Sequence, residues 1–245
     1  MLKMFGKKKI LLFTISALIC LLLLGVLHPP HLLFTIISNL FPEAVYKFKT
    51  NQPFAALTID DGPDSTNTPK ILDVLSANNA RATFFLVSSR IKGNEQLVRR
   101  IVAEGHEIGN HLQRHDVASI NLSDAEFERQ LIIADSVLSQ FGDVKWFRPG
   151  SGWYSREMIG IIEKHGYKCV LGSVYPLDPF LKWDWFIVKY VISNTTPGSI
   201  IILHDGPRKG QRTARTLQQI LPELHRNNLE VVTLFQLYET SVNFN

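Results

Sequence analysis

From Phe54 onward, short apolar, β-branched runs alternate with segments of helical period. That alternation limits the fold more than any other feature of the chain. FAALTI (54–59), RATFFLV (81–87), HEIGNH (106–111), VKWF (144–147), YKCVLGS (167–173), SIIIL (199–203) and LEVVTL (229–234) read as strands. Helical patterns separate them. Thr68 and Pro69 read as N-cap and first-turn proline of a helix carrying Ile71, Leu72 and Leu75. Asn94 and Gly105 bracket a second helix. Ser123 and Glu126 form an S-x-x-E capping box that opens a long third one. Three more cover 155–165, 184–193 and 213–226. Strands with helical crossovers predict an α/β fold built on a parallel sheet, either closed as a barrel or open and doubly wound. In both, chemistry collects at the C-terminal ends of the strands.

The residues at those ends are not core residues. Asp60 and Asp61 follow the first strand. NHLQRH, with His111 and His115, follows the third. Arg148 and Pro149 follow KWF, Tyr175 and Asp178 follow YKCVLGSV, and His204 and Asp205 follow SIIIL. Unrelated polar residues would scatter over both ends of the sheet, so their convergence points to an active site.

The residue types suit metal-assisted hydrolysis. Two histidines and a carboxylate are a usual ligand set for catalytic zinc, with one position left open. His111 and His115 are four apart, so one helical turn would put both on one side. A second carboxylate beside the ion would take a proton from water, and a separate histidine would return one. One aspartate of the Asp60–Asp61 pair would then hold the metal and the other would act as base, the ion's charge relieving their repulsion.

Several other polar and aromatic residues have plainer readings. HEIGNH lacks the H-E-x-x-H spacing, and Gly109 interrupts it, so His106 reads as structural. His165 and His225 lie late in helices, where positive charge suits the dipole. Asp64, Asp184 and Asp205 read as turn or cap residues. Trp183 and Trp185 would line a sugar site, but aromatic packing is the simpler explanation.

Taken together, the motifs resemble the polysaccharide deacetylases of the NodB-homology type, carbohydrate esterase family 4. TIDDGP is similar to T-F-D-D-G-P, HLQRH to H-[ST]-x-x-H, RPG to the start of R-P-P-Y, and IILH to L-x-L-H. LGSVYPLD falls where the family has an acid followed by Trp. The resemblance runs from Phe54 to Tyr238. It implies a distorted relative of the eight-stranded (β/α) barrel, with about seven parallel strands, and a divalent metal, zinc first. It also implies roles: Asp60 as catalytic base, Asp61, His111 and His115 as metal ligands, and Arg148 orienting Asp60. Asp178 would tune His204, the general acid, and the backbone N–H of Ser151 would donate to the oxyanion. The substrate implied is a GlcNAc-containing polysaccharide, chitin-like or peptidoglycan, losing acetate by amide hydrolysis. Ile59, Leu112, Asp116, Ser151 and Pro179 depart from the pattern, which predicts an altered glycan groove, with Trp153 standing in for the missing Tyr ring.

The N-terminus has a different character. Ile10–Leu27 is an uncharged, mostly apolar run of 18 residues behind Lys3, Lys7, Lys8 and Lys9. That length suits a transmembrane helix with a cytoplasmic N-terminus, and VLHPPH offers no A-x-A-like cleavage site. The expectation is a cytoplasmic tip and transmembrane signal anchor over 1–30, an apolar connector over 31–52, and the catalytic domain over 53–240 on the extracytoplasmic side. Four of the 26 Lys and Arg lie in that tip, leaving 22 against 22 Asp and Glu. The rest of the chain is formally neutral, which argues against nucleic acid as a partner. Cys20 and Cys169 are not expected to pair.

Two other functions compete. A membrane-tethered glycan-binding module without activity would explain the altered positions Ser151 and Pro179. A phosphohydrolase would use paired acids on Mg²⁺, but imidazole ligands favour zinc-like metals.

Overall fold

The computed structural model describes residues 38–114 and 118–242. The transmembrane expectation for 10–27 lies outside them, as does His115. Among the described residues no helix is long and apolar enough to cross a membrane. The chain divides into two units, Met1–Phe41 and Pro42–Asn245, and the architecture below is that of the second.

Seven strands form one all-parallel sheet: β1 (Phe54–Gly62), β2 (Ala82–Leu86), β3 (Glu107–Asn110), β4 (Trp146–Phe147), β5 (Lys168–Cys169), β6 (Ile200–His204) and β7 (Glu230–Val232). The order is β5-β4-β3-β2-β1-β6, with β7 paired to the first residues of β1. Beyond β5 the chain turns back to β6 through a parallel bridge between Val174 and Ile201. The sheet is therefore a curled, barrel-like α/β sheet, not an open doubly wound one. Its helices are α1 (Thr68–Ala77), α2 (Glu95–Ala103), α3 (Asp124–Leu138), α4 (Arg156–Lys164), α5 (Asp184–Asn194), α6 (Gly210–Arg226) and α7 (Leu234–Val242).

Apolar burial explains the arrangement. β1 is buried along almost its whole length, as a strand covered on both faces must be. Leu57, Ile59, Phe84, Leu86, Ile201 and Leu203 join the α1, α2 and α6 faces in one core. A smaller cluster of Ala56, Phe85, Trp146, Val170, Ile200 and Leu237 lies apart from it. Gly172 permits a close approach, since a Cβ there would meet Ile202 Cγ1 at 2.7 Å and the Ile200 carbonyl at 2.9 Å.

Local readings differ in places. Asn67 occupies the N-cap position of α1, and Thr68 instead uses its hydroxyl on Asp205 and on the Asp64 N–H. Ser123 accepts from the Glu126 N–H at 3.3 Å, but the Glu126 carboxylate turns to Arg129 and Gln130, so only half of the capping box forms. Helix α7 was not anticipated, because its apolar residues continue the β7 run without a break. The segment before β1 also packs on the sheet. Val45 N–H donates to Cys169 O at 2.9 Å and Phe48 N–H to Gly198 O at 3.0 Å.

Candidate active site

The site begins with an irregularity in β1. Neighbouring side chains of a regular strand point to opposite faces. Here the register shifts between Asp60 and Gly62, and Asp61 adopts φ 72°. That left-handed residue breaks the alternation and lets both buried carboxylates serve one site. Asp tolerates this conformation better than most residues. The Asp205 N–H donates to Asp60 O at 2.8 Å, and Arg90 donates to Asp61 O, so both carbonyls are fixed.

Asp60 is held by Arg148. The guanidinium lies at the end of β4, 2 % exposed, and its Nη1 donates to Asp60 Oδ1 at 2.7 Å. The other donors reach Thr58 Oγ1 (2.6 Å), Val170 O (3.1 Å) and Leu171 O (2.9 Å). The group also stacks over the Phe85 ring at 4.2 Å. Burial draws the guanidinium's pKa down and Asp60 opposes that; it stays cationic because its ordinary value is so high.

His111 follows β3. Its Nδ1 lies 2.7 Å from Arg148 O, and a carbonyl accepts only, so Nδ1 carries the proton and Nε2 presents its lone pair. That Nε2 is 3.6 Å from Asp61 Oδ1. The separation is too long for a hydrogen bond. It matches about 3.4 Å between two tetrahedral ligands each ~2.1 Å from an ion. The donor set, an aspartate oxygen and an imidazole nitrogen backed by a carbonyl, therefore fits a divalent metal. No helical turn forms over residues 111–114, the described part of HLQRH. β3 ends at Asn110, whose side chain accepts the Leu112 N–H at 2.9 Å, and Leu112 takes φ 66°.

The fourth component is an acid–imidazole pair. His204 ends β6, and its Nδ1 donates to Asp178 Oδ1 at 3.0 Å while its backbone N–H donates to Asp178 Oδ2 at 3.0 Å. Burial alone would lower the pKa of His204. The Asp178 charge and hydrogen bond, aided by Asp60 and Asp61, more than offset it, so the net shift is upward. Nε2 is left for the cavity that His204 lines.

That cavity, of about 210 Å³, is bounded by Tyr46, Asp60, His111, Arg148, Pro149, Ser151, Tyr175 and His204. Ser151 sits in its wall with φ 65°. Next to it, Trp153 is 67 % exposed. Phe180, Trp183 and Trp185 are exposed as well, although Trp185 still packs edge-on against Phe186 with ring centroids 5.9 Å apart.

Some neighbours of the site were not foreseen. Lys209 Nζ donates to Asp61 Oδ2 at 2.7 Å. Arg90 and Tyr46 carry no local motif at all. Asp205 is more than a turn residue. It is buried, it accepts from Thr68 and from the Gly206 N–H, and burial pushes its carboxyl up to about 6. A Cβ at Gly210 would lie 2.3 Å from its Oδ1, which explains the glycine that opens α6. His106 is structural as expected. It accepts the Ala82 N–H at 3.2 Å, and burial lowers it to about 4.

Known proteins share this architecture. The polysaccharide deacetylase family model matches residues 47–170. A peptidoglycan-N-acetylglucosamine deacetylase of Bacillus cereus is 36% identical over 199 residues, covering 78% of this chain and 91% of the relative. A chitooligosaccharide deacetylase of Sinorhizobium fredii is 33% identical over 201 residues, covering 76% and 93%. Among solved structures, the Bc1960 peptidoglycan N-acetylglucosamine deacetylase superposes with a TM-score of 0.76 at 32% identity, over 81% of this chain and 94% of its own. A family 4 acetyl xylan esterase from Clostridium thermocellum, solved with a cobalt ion, gives 0.70 at 29% identity, over 76% and 90%. With the motifs, the barrel-like sheet and these relatives in agreement, the chain belongs to the polysaccharide deacetylase family.

Proposed function

We propose that this protein hydrolyses the N-acetyl group of a GlcNAc-containing polysaccharide, peptidoglycan or a chitin-like chain, with a divalent metal, zinc first. The observation that carries the reading is that Asp60 and His204 line one cavity, each held by a partner of opposite charge. Such a pair is what general base and general acid catalysis at a single amide needs.

Asp61 and His111 would hold the metal, with His115 as the third ligand. The metal supplies Lewis acidity, raising the electrophilicity of the acetamide carbonyl and the acidity of water. Asp60 takes the proton of the attacking water, and Arg148 fixes which carboxylate oxygen faces it. The Ser151 N–H donates to the developing oxyanion. His204, kept cationic by Asp178, gives its Nε2 proton to the departing amine as the C–N bond breaks. Acetate and a free amino sugar result. The exposed Trp153 ring beside Ser151 supports a polymeric substrate, because sugar faces stack on such rings.

Acetate release from peptidoglycan and from chitooligosaccharides tests this, using zinc-reconstituted protein beside Asp60→Asn. Zinc-dependent acetate that is lost in the variant is the expected result. No acetate from either glycan, with metal bound, would overturn it in favour of a binding module.

The basic tip followed by the apolar run 10–27 supports a tether, with the catalytic domain outside the membrane. Intact mass of the native protein checks this. Retention of the first thirty residues is expected, and their loss would sink the tether.

A further inference from the structure

The first turn of α6 touches both members of the Asp178–His204 pair from behind. Arg212 Nη1 donates to Asp178 O at 2.6 Å and to Leu181 O at 2.9 Å. The next residue, Thr213, donates its hydroxyl to His204 O at 2.6 Å. Consecutive residues of one helical turn thus grip the backbone of the acid and of the imidazole that it orients.

The acid needs such a grip. Asp178 lies in a connection without strand or helix between Val174 and α5, next to Leu177 at φ 57°. Loops of that kind have low local stability unless they are tied down. Asp178 nevertheless keeps both carboxylate oxygens on His204. The Arg212 side chain is 16% exposed, and its Nε lies 3.8 Å from Asp184 Oδ1. Asp184 also accepts from Arg215 at 3.0 Å, which holds the start of α5 against α6. One guanidinium nitrogen therefore joins two carbonyls three residues apart. Their spacing sets where the Asp178 side chain points.

We infer that Arg212 is a positioning residue for general acid catalysis: it fixes the Asp178 loop so that the carboxylate orients and charges His204. The inference rests on the deacetylase reading of the site. Arg212 is not among the residues that line the cavity, so it acts on the chemistry only through the loop that it holds. The groups that set the charge of His204 are Asp178, Asp60 and Asp61, with the Tyr175 ring 5.9 Å from the imidazole.

The test compares metal-loaded wild type, Arg212→Ala and Arg212→Lys by acetate release across pH. The His204 ring is also titrated by NMR in each, assigned with His204→Gln. In Arg212→Ala, kcat is expected to fall about tenfold, with KM within roughly twofold. The high-pH limb of kcat and the His204 titration should both move down by about one unit. Arg212→Lys, which keeps a cationic donor on the same side, should recover most of each. If Arg212→Ala does not fold, Arg212→Gln takes its place. Unchanged kcat and His204 titration in a folded variant would overturn the inference. So would a fall in kcat with no movement of the His204 titration, which would mark a purely structural role. Loss of the deacetylase reading would show differently, as wild type that releases no acetate, and the NMR comparison would still decide whether Arg212 sets His204.

Discussion

Arg148 and Asp60, 88 positions apart in the chain, meet through a 2.7 Å ion pair that is almost wholly buried. Taking one partner away leaves the other charged and dry. Breaking such a pair costs about 3–5 kcal/mol. Arg148→Met and Asp60→Asn should each lower thermal stability by this order. The double variant should be less destabilised than the sum of the two, a coupling that a double-mutant cycle of unfolding free energies reads directly.

Asp60→Asn should also abolish turnover. Removing a general base typically forfeits about 10²–10⁴ in rate. Acetate release at saturating substrate checks this, and a variant within tenfold of wild type would exclude Asp60 as the base.

In the proposed mechanism His204 is the general acid. Burial would depress its pKa, but Asp178, Asp60 and Asp61 together lift it above the ordinary value. As a general acid, His204 would act in its cationic form. Activity should therefore hold through neutral pH and fall as pH rises past the elevated pKa. Asp178→Asn removes the nearest negative charge and should move that fall to lower pH. A pH profile of kcat for both proteins tests the direction.

Chelation should abolish activity, and zinc or cobalt should restore it. Asp61→Ala and His111→Ala should each weaken metal binding, measured by competition with a chromogenic chelator. Equal affinity in both variants and wild type would remove these residues from the metal site.

His106 and Asp205 should titrate against each other in the stability curve. Burial lowers His106 to about 4. The native state then binds fewer protons than the unfolded chain between there and the ordinary histidine value. Its contribution is present above that value and is lost as pH falls. Asp205, raised to about 6, has the opposite slope, gaining native stability as pH falls through 6. Relative to wild type, His106→Gln should lose less stability between pH 6.5 and 4, by roughly 2–3 kcal/mol. Urea melts at both pH values measure this.

The sequence carried the parts of the site that sit at strand ends. Asp60, Asp61, His111, Arg148, Asp178 and His204 each follow an apolar run, so the pattern that announces a strand also locates the residue after it. The structure brings Asp60, His111, Arg148 and His204 to one cavity wall. The sequence was silent on Lys209, Arg212 and Arg90. These act across the fold, and nothing within a few residues of them marks their partners. Arg212 reads as an ordinary helix cation until the Asp178 carbonyl is seen 2.6 Å away. Over residues 111–114, the described part of HLQRH, no helix forms, for a local reason. Spacing of four suits a helical turn, but the Asn110 side chain captures the Leu112 N–H and turns the backbone left-handed. The exposure of Trp183 was not legible, because aromatic content alone does not say which face an aromatic ring will occupy.

The place of β1 has a consequence for how the chain is made. β1 pairs with β2 on one edge and β6 on the other, and 143 positions separate Thr58 from the Ile201 carbonyl that receives its hydroxyl. During synthesis from the N-terminus, this buried central strand emerges early and its second neighbour emerges late. Contacts so distant in sequence slow folding, and an unpaired apolar edge invites pairing between chains. The nascent protein is thus most prone to aggregate before β6 has been made. Until β6 is added the chain holds both aspartates but not His204, so the proposed acid and base come together only late in synthesis.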